Sequence, residues 1–205
     1  MNVSHPVADK IIARLSKNPG SPVAVPDLLD LAARPAINQA LARLTKAGKI
    51  QRIRRGLYAQ PRYSTLLKTS VPPSVDALAQ AWARQNGLRI IPFGAYAANL
   101  LGLSTQVPAQ YVYYTNGRTQ QVQLGTSTVR FLNRGPKTMD VQGAMAAHIF
   151  QALRHLGRTH VGDAEIARLR RLLRPKDRAD LKRSLKYAAG WMRPVLEQLI
   201  SEEPR

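Results

Sequence analysis

Residues 34–58 read RPAINQALARLTKAGKIQRIRRGLY, and their patterning decides the fold of the N-terminal part of the chain. From Pro35 to Ala47, Ile37, Ala40, Leu41 and Leu44 fall three and four apart on one side. Gln39, Ala42, Arg43 and Lys46 fall opposite, which predicts an amphipathic helix. Gly48 ends it, Ile50 to Ile53 alternates as a short strand, Arg54-Arg55-Gly56 turns the chain, and Leu57-Tyr58-Ala59 runs back.

Upstream, Val7, Ile11, Ile12 and Leu15 recur at helical spacing, so a first helix runs from Val7 to Lys17 and stops at the breaker cluster Asn18-Pro19-Gly20-Ser21-Pro22. Pro26 opens a second short helix through Ala32. Three helices followed by a basic hairpin is the order of a winged helix-turn-helix, whose helix after the turn enters the major groove of DNA. Residues 1–62 are therefore expected to form a DNA-binding domain of that kind, and they hold 11 Lys and Arg against 3 acids, a net +8.

On the outer face of the third helix, Gln39 and Arg43 are equipped to read base edges, Gln pairing with adenine and Arg with guanine, and Asn38 flanks them. Arg34, Lys46, Lys49, Arg52, Arg54 and Arg55 are assigned to phosphates or, at the wing tip, to the minor groove. The competing account is a solvated surface helix, the ordinary fate of Lys and Arg.

Composition agrees with a polyanion-binding globular protein. The 205 residues are 44% hydrophobic, enough to bury a core, and carry 31 Lys and Arg against 12 acids for a net +19. There is no cysteine, which excludes disulfides and thiolate sites. No signal-like segment stands at Met1 to Lys10 and no apolar run approaches the roughly 20 residues of a membrane span, so the cytoplasm is the expected compartment and a membrane is not an expected partner.

Residues 63–73, ending in Val71-Pro72-Pro73, read as a linker, which leaves 74–205 as a second domain. Helices are expected over Val75–Gln85 and Gly94–Leu101. Strands are expected over Gln110–Thr115 and Arg118–Leu124, joined as a hairpin at Asn116-Gly117, with a third over Thr128–Asn133. Four helical segments follow: Val141–Leu156, Asp163–Leu173, Pro175–Ala188 and Trp191–Ile200. The expected class is α+β: the N-terminal winged helix-turn-helix, then a mixed α/β C-terminal domain with a small antiparallel sheet and several helices. Arg168, Arg171, Arg178 and Lys182 offer a possible second phosphate-contacting surface, with a solvated helix face as the alternative.

The stretch from Arg34 through Tyr58 resembles the N-terminal winged helix of AbiEi-type abortive-infection antitoxins and their DUF6088 relatives. Ile91 to Pro108, containing Gly102-Leu-Ser-Thr-Gln-Val-Pro108, and Tyr114-Thr-Asn-Gly-Arg118 resemble the antitoxin domain of that family. The resemblance spans roughly residues 7 to 135. It implies a repressor that binds inverted repeats at its own promoter, as monomer or dimer, and counteracts a nucleotidyltransferase toxin without a stable complex.

No catalytic residue, metal site or cofactor is expected. His5, His148, His155 and His160 lack acidic partners at ligand spacing. Asp163 and Glu165 sit as a cap and a first-turn acid of a helix, not in the surroundings of a magnesium-binding carboxylate pair. The alternative function is an RNA-binding module built on the basic helices and a sheet bearing Tyr111, Tyr113 and Tyr114, with base stacking on the tyrosines.

Overall fold

The computed structural model describes residues 6–66, 68–105 and 109–201. The chain is mixed α+β and divides into two compact units, residues 1–88 with 123–127, and residues 89–122 with 128–205.

In the first unit, α1 (Pro6–Ser16) and α2 (Arg34–Lys46) pack together and enclose Ile11, Leu15, Leu28, Ile37, Leu41 and Ile50. Between them, β1 (Val23–Ala24) leads into a 3-10 turn, Val25–Leu28. This turn replaces the short helix expected from Pro26 to Ala32. Leu29 and Leu31 donate three residues back, to Pro26 O and Leu28 O, and the Asp27 carboxylate takes the Ala24 N–H, so the segment winds too tightly for an α-helix.

After α2 come β2 (Gln51–Arg54) and β3 (Leu57–Ala59). A three-stranded antiparallel sheet results, ordered β1-β3-β2, in which Ala24 lies opposite Leu57 and Gln51 opposite Ala59. The register slips between Arg52 and Arg54, a bulge that adds twist just before the turn.

Residues 62–71 are not a bare linker. They form a two-stranded antiparallel ribbon, β4 (Arg62–Ser64) and β5 (Thr69–Val71), with Tyr63 opposite Ser70; Leu67, between the strands, lies outside the described residues. The helix α3 (Val75–Gln85), expected to open the second domain, belongs to the first unit. It buries Leu78, Ala79 and Trp82, and Arg84 at its C-terminal end reaches Asp27. The boundary therefore falls near Leu88 rather than at the proline pair, because α3 has an apolar face that the first unit covers.

The second unit places β6 (Ile90–Pro92), α4 (Gly94–Leu100), β7 (Tyr111–Thr115), the start of β8 (Gln120–Leu124) and nearly all of β9 (Ser127–Asn133) ahead of α5 (Pro136–Met139), α6 (Ala144–Leu156), α7 (Asp163–Leu172), α8 (Pro175–Ser184) and α9 (Met192–Ile200). Its core centres on α6, where Ala146, Ile149, Phe150, Ala152 and Leu153 are all buried.

The four-stranded sheet runs β6-β7-β9-β8. β7 pairs with β9 in parallel, so the sheet is mixed rather than antiparallel and Asn116-Gly117 does not close a hairpin onto β8. The Asn116 carboxamide accepts from the Arg89 N–H, Gly117 N–H donates to Thr115 Oγ1, and Asn133 Nδ2 donates to Gly117 O. These bonds spread the Asn-Gly segment into an arch over the end of β9. β9 takes the inner place because Val129 and Phe131 are fully buried, while β8, with Gln120, Gln121 and Gln123, suits an edge. The tight two-residue connection is Gly125-Thr126, between β8 and β9.

The helix expected from Val141 to Leu156 begins only at Ala144, because Gly143 adopts φ 73°, ψ 150°, a region that essentially only glycine visits. Two buried α8 residues one turn apart seat that end of α6. Ser184 Oγ accepts from the Gln142 N–H at 2.8 Å, and the Asp180 carboxylate lies where a Gly143 side chain would begin. Gly143→Ala is expected to cost about 1–3 kcal/mol from the backbone alone, with the displacement of Asp180 added. A urea midpoint equal to wild type would refute this account of the junction.

Candidate nucleic-acid interface

Every residue expected to meet a polyanion in the first unit is solvent-exposed: Arg34, Asn38, Gln39, Arg43, Lys46, Lys49, Arg52, Arg54 and Arg55. Their partners on the inner side of α2, Ile37, Ala40, Leu41 and Leu44, are buried, so the helix has one apolar and one polar side as its spacing requires. Gln39 and Lys46, seven residues apart, lie about 20° from each other around the axis and form the outermost line. Arg43 flanks that line beside a shallow cleft of about 110 Å³ shared with Pro6, Val7 and Ala8 of α1, and Asn38 falls on the other flank.

No side chain caps the N-terminus of α2 and no acid stands in its first turn, where Arg34 and Pro35 sit instead. An uncapped helix start leaves N–H groups pointing outward, a favourable environment for negative charge.

The β2–β3 turn is held by its carbonyls. Gln85 of α3 donates Nε2–H to Arg55 O at 3.0 Å, and Val25 N–H donates to Gly56 O at 3.1 Å. Gly56 has φ 80°, and a β-carbon there would sit 2.4 Å from Gln85 Nε2. With the backbone pinned from inside, Arg54 and Arg55 are left at the surface. Arg54 Nη1 donates to Gln123 O within the same unit, which fixes its direction.

The charge balance is sharper than the net +8 indicates. From Leu31 to Val75 the chain has no acid and nine Lys and Arg. Among the described residues, no ion pair involves Arg34, Arg43, Lys46, Lys49, Arg52, Arg54 or Arg55. Two acids of this unit are taken elsewhere. Asp27 receives both Nε–H and Nη2–H of Arg84, and Asp30 pairs with Arg14 at 2.6 Å. The sequence does not point to Arg84 and Gln85 as supports of this surface, because they lie beyond the proline pair; only the unbroken helical spacing of α3 hints that they belong with what precedes them.

Of the expected second basic surface, Arg171 and Arg178 line one cleft together with Arg170. Arg168 Nε donates to Leu101 O, the last carbonyl of α4, and lies across Gly102, where a β-carbon would meet its guanidinium. Arg178 Nη1 donates to Leu199 O and Ser201 O at the end of α9. Both arginines are thereby engaged at helix C-termini, where cations are favoured. Arg168, Arg171 and Lys182 are exposed and Arg178 is half-buried.

The tyrosines of β7 are internal. Tyr113 is fully buried between Tyr96 and Phe131, Tyr111 meets the edge of Tyr96, and Tyr114 packs on Phe93 with the Arg134 guanidinium over its ring. That sheet presents no open platform of aromatic rings. Glu165, not Asp163, closes the start of α7, its Oε2 accepting from the Gly162 N–H. Among the described residues no group of three or more His, Asp or Glu is gathered at metal-binding distance, and no helix is long and apolar enough to cross a membrane. His5 and residues 106–108 of the Gly-Leu-Ser-Thr-Gln-Val-Pro segment lie outside the described residues.

The hydrogen bond from Arg14 holds the Asp30 carboxyl below its ordinary value. A depressed carboxyl contributes stability above its unfolded pKa and loses it as pH falls through the folded pKa. The Asp30 midpoint, followed by NMR, is expected to lie below that of an unpaired aspartate and to rise on Arg14→Gln; an unmoved midpoint would show that the pair does not hold in solution.

A model for a family of unknown function, DUF6088, matches residues 8–181 of this chain. No curated protein sequence matches it. Among solved structures, the RV2827C protein from Mycobacterium tuberculosis is similar over 96% of this chain and 82% of its own, at 14% identity and a TM-score of 0.44.

Proposed function

The chain belongs to the DUF6088 family, and we propose that it is a sequence-specific DNA-binding repressor whose residues 6–59 form a winged helix. In this reading α2 is the recognition helix in the major groove, and the β2–β3 hairpin is the wing. The observation that carries it is the acid-free surface from Leu31 to Val75, with an exposed polar face on α2 and Arg54 and Arg55 on a turn fixed from behind.

Gln39 and Arg43 read base edges, with Asn38 at the margin, each bidentate contact giving roughly 1–3 kcal/mol of discrimination. Arg34, Lys46, Lys49 and Arg52 meet phosphates, and Arg54 and Arg55 meet phosphates or the minor groove. The role as antitoxin of a type IV abortive-infection system rests on the resemblance of residues 34–58 and 91–118 to AbiEi-type antitoxins. It adds autoregulation at inverted repeats and functional opposition to a nucleotidyltransferase toxin. The cytoplasm follows as the place of action.

The test is a gel shift on the DNA upstream of the protein's own gene, in physiological salt with excess competitor. Wild type is expected to give a specific band that Gln39→Ala with Arg43→Ala abolishes. Lys49→Ala with Arg52→Ala should instead weaken binding on any sequence and lower the slope of log K against log salt by about 0.9 for each phosphate no longer neutralised. Equal binding to all DNA, or displacement by RNA at lower concentration than by DNA, would overturn the operator-reading role. Failure both to lower promoter activity and to rescue cells from the toxin would remove the antitoxin role while leaving DNA binding intact.

A further inference from the structure

The β4–β5 ribbon has no part in the recognition helix or the wing, yet among the described residues it carries the most exposed large apolar side chains of the first unit. Leu66 is 89% exposed and Tyr63 65%. The two strands hydrogen-bond only with each other among the described strands. Arg62 and Lys68 flank the apolar pair, and Ser64, Thr65, Thr69 and Ser70 supply small hydroxyls. Lys68 turns the chain at φ 49°, a left-handed conformation usually left to glycine, so the ribbon carries a charged side chain where glycine would fit more easily.

The ribbon's origin places it at one end of the proposed DNA-reading surface. β3 ends at Ala59, opposite Gln51, and Gln51 follows directly on the Lys46–Lys49 end of α2. Arg62 comes three residues after Ala59. The ribbon therefore leaves the unit at the end of the sheet opposite the Arg54-Arg55-Gly56 turn, where Ser16 Oγ donates to Gln60 Oε1 and the Arg62 stem lies against Gly20.

We propose that the β4–β5 ribbon is a second DNA-contacting arm, lying in the minor groove next to the segment that α2 reads. Arg62 and Lys68 meet phosphates there, and Tyr63 and Leu66 rest against sugars and base steps, where apolar side chains of minor-groove proteins insert. This rests on the reading of the first unit as a DNA-binding winged helix. Charge selects the occupant. The ribbon lies within the stretch that has no acid, and a second copy of a chain with net charge +19 would bring Arg62 and Lys68 against like charge.

The experiment is a fluorescence anisotropy titration of the full chain on two duplexes, the minimal upstream site and the same site with about ten base pairs, one helical turn, added on each side. Arg62→Ala with Lys68→Ala, and separately Tyr63→Ser with Leu66→Ser, are expected to bind the long duplex roughly tenfold more weakly, a change of about 1.4 kcal/mol, and the short duplex as wild type does. The basic pair should also lower the salt slope on the long duplex by about 1.8, two phosphates at roughly 0.9 each, whereas the apolar pair leaves it unchanged. Unchanged short-duplex binding shows that the variants are folded. Variants equal to wild type on both duplexes overturn the arm. So does an equal loss on both accompanied by loss of self-association in sedimentation velocity, which would make a second copy the occupant. A wild-type protein with no preference for its own site at either length overturns the underlying DNA reading instead.

Discussion

The carboxylate of Asp27 accepts from three donors, the Ala24 N–H and the Nε–H and Nη2–H of Arg84. The first bond fixes the start of the 3-10 turn. The others bring the C-terminal end of α3 onto that turn, which places Gln85, the next residue, against the β2–β3 turn. One partly exposed ion pair contributes modestly by itself. Here it also sets a register: the short turn fixes where α2 starts, and α3 fixes where Arg54 and Arg55 stand. The polar face of α2 and the basic turn are thus positioned by residues outside both.

Arginine has two uses in this chain, and composition does not separate them. In the first unit the arginines of α2 and of the β2–β3 hairpin lie free of ion pairs among the described residues. In the second, Arg168 and Arg178 spend guanidinium donors on the carbonyls that end α4 and α9, and Arg170 does the same at Gln198 O. The run of nine basic residues from Arg168 to Lys186 keeps its charge at those carbonyls, and Arg174 and Arg183 within it are paired with acids, Asp177 and Asp180. The difference comes from which helix ends lie within reach, and that is set by packing in the second unit.

Periodicity makes α2, α3, α4 and the core side of α1 legible, because an apolar stripe at 3.6 spacing has few alternatives. The inner and outer residues of α2 can be told apart for the same reason. Two parts are hidden. Residues 62–71 carry hydroxyl-rich alternation that forms strands, but their low apolar content and the proline pair that follows suggest a tether. Asn116-Gly117 is a strong local signal for a two-residue hairpin, but in the fold the Arg89 backbone N–H donates to the Asn116 carboxamide, Asn133 Nδ2 donates to Gly117 O, and only the Gly117 N–H to Thr115 Oγ1 bond is local. Strand order is decided by which strand fills the inner position, and Val129 with Phe131 outcompetes the glutamines of β8.

That strand order also bears on how the chain is made. β7 emerges from the ribosome before its parallel partner, and its inner edge stays unpaired until Val129–Asn133 has been synthesised. β6 alone shields β7 meanwhile, on the other side. Growing chains with an unpaired apolar edge are the species that chaperones engage, and closing a parallel pair through an intervening strand is slow compared with a local hairpin. The Asn116–Asn133 arch thus leaves β7 without its parallel partner until Phe131, which completes the aromatic stack with Tyr113, has been made, and the second unit still lacks its core until α6 follows.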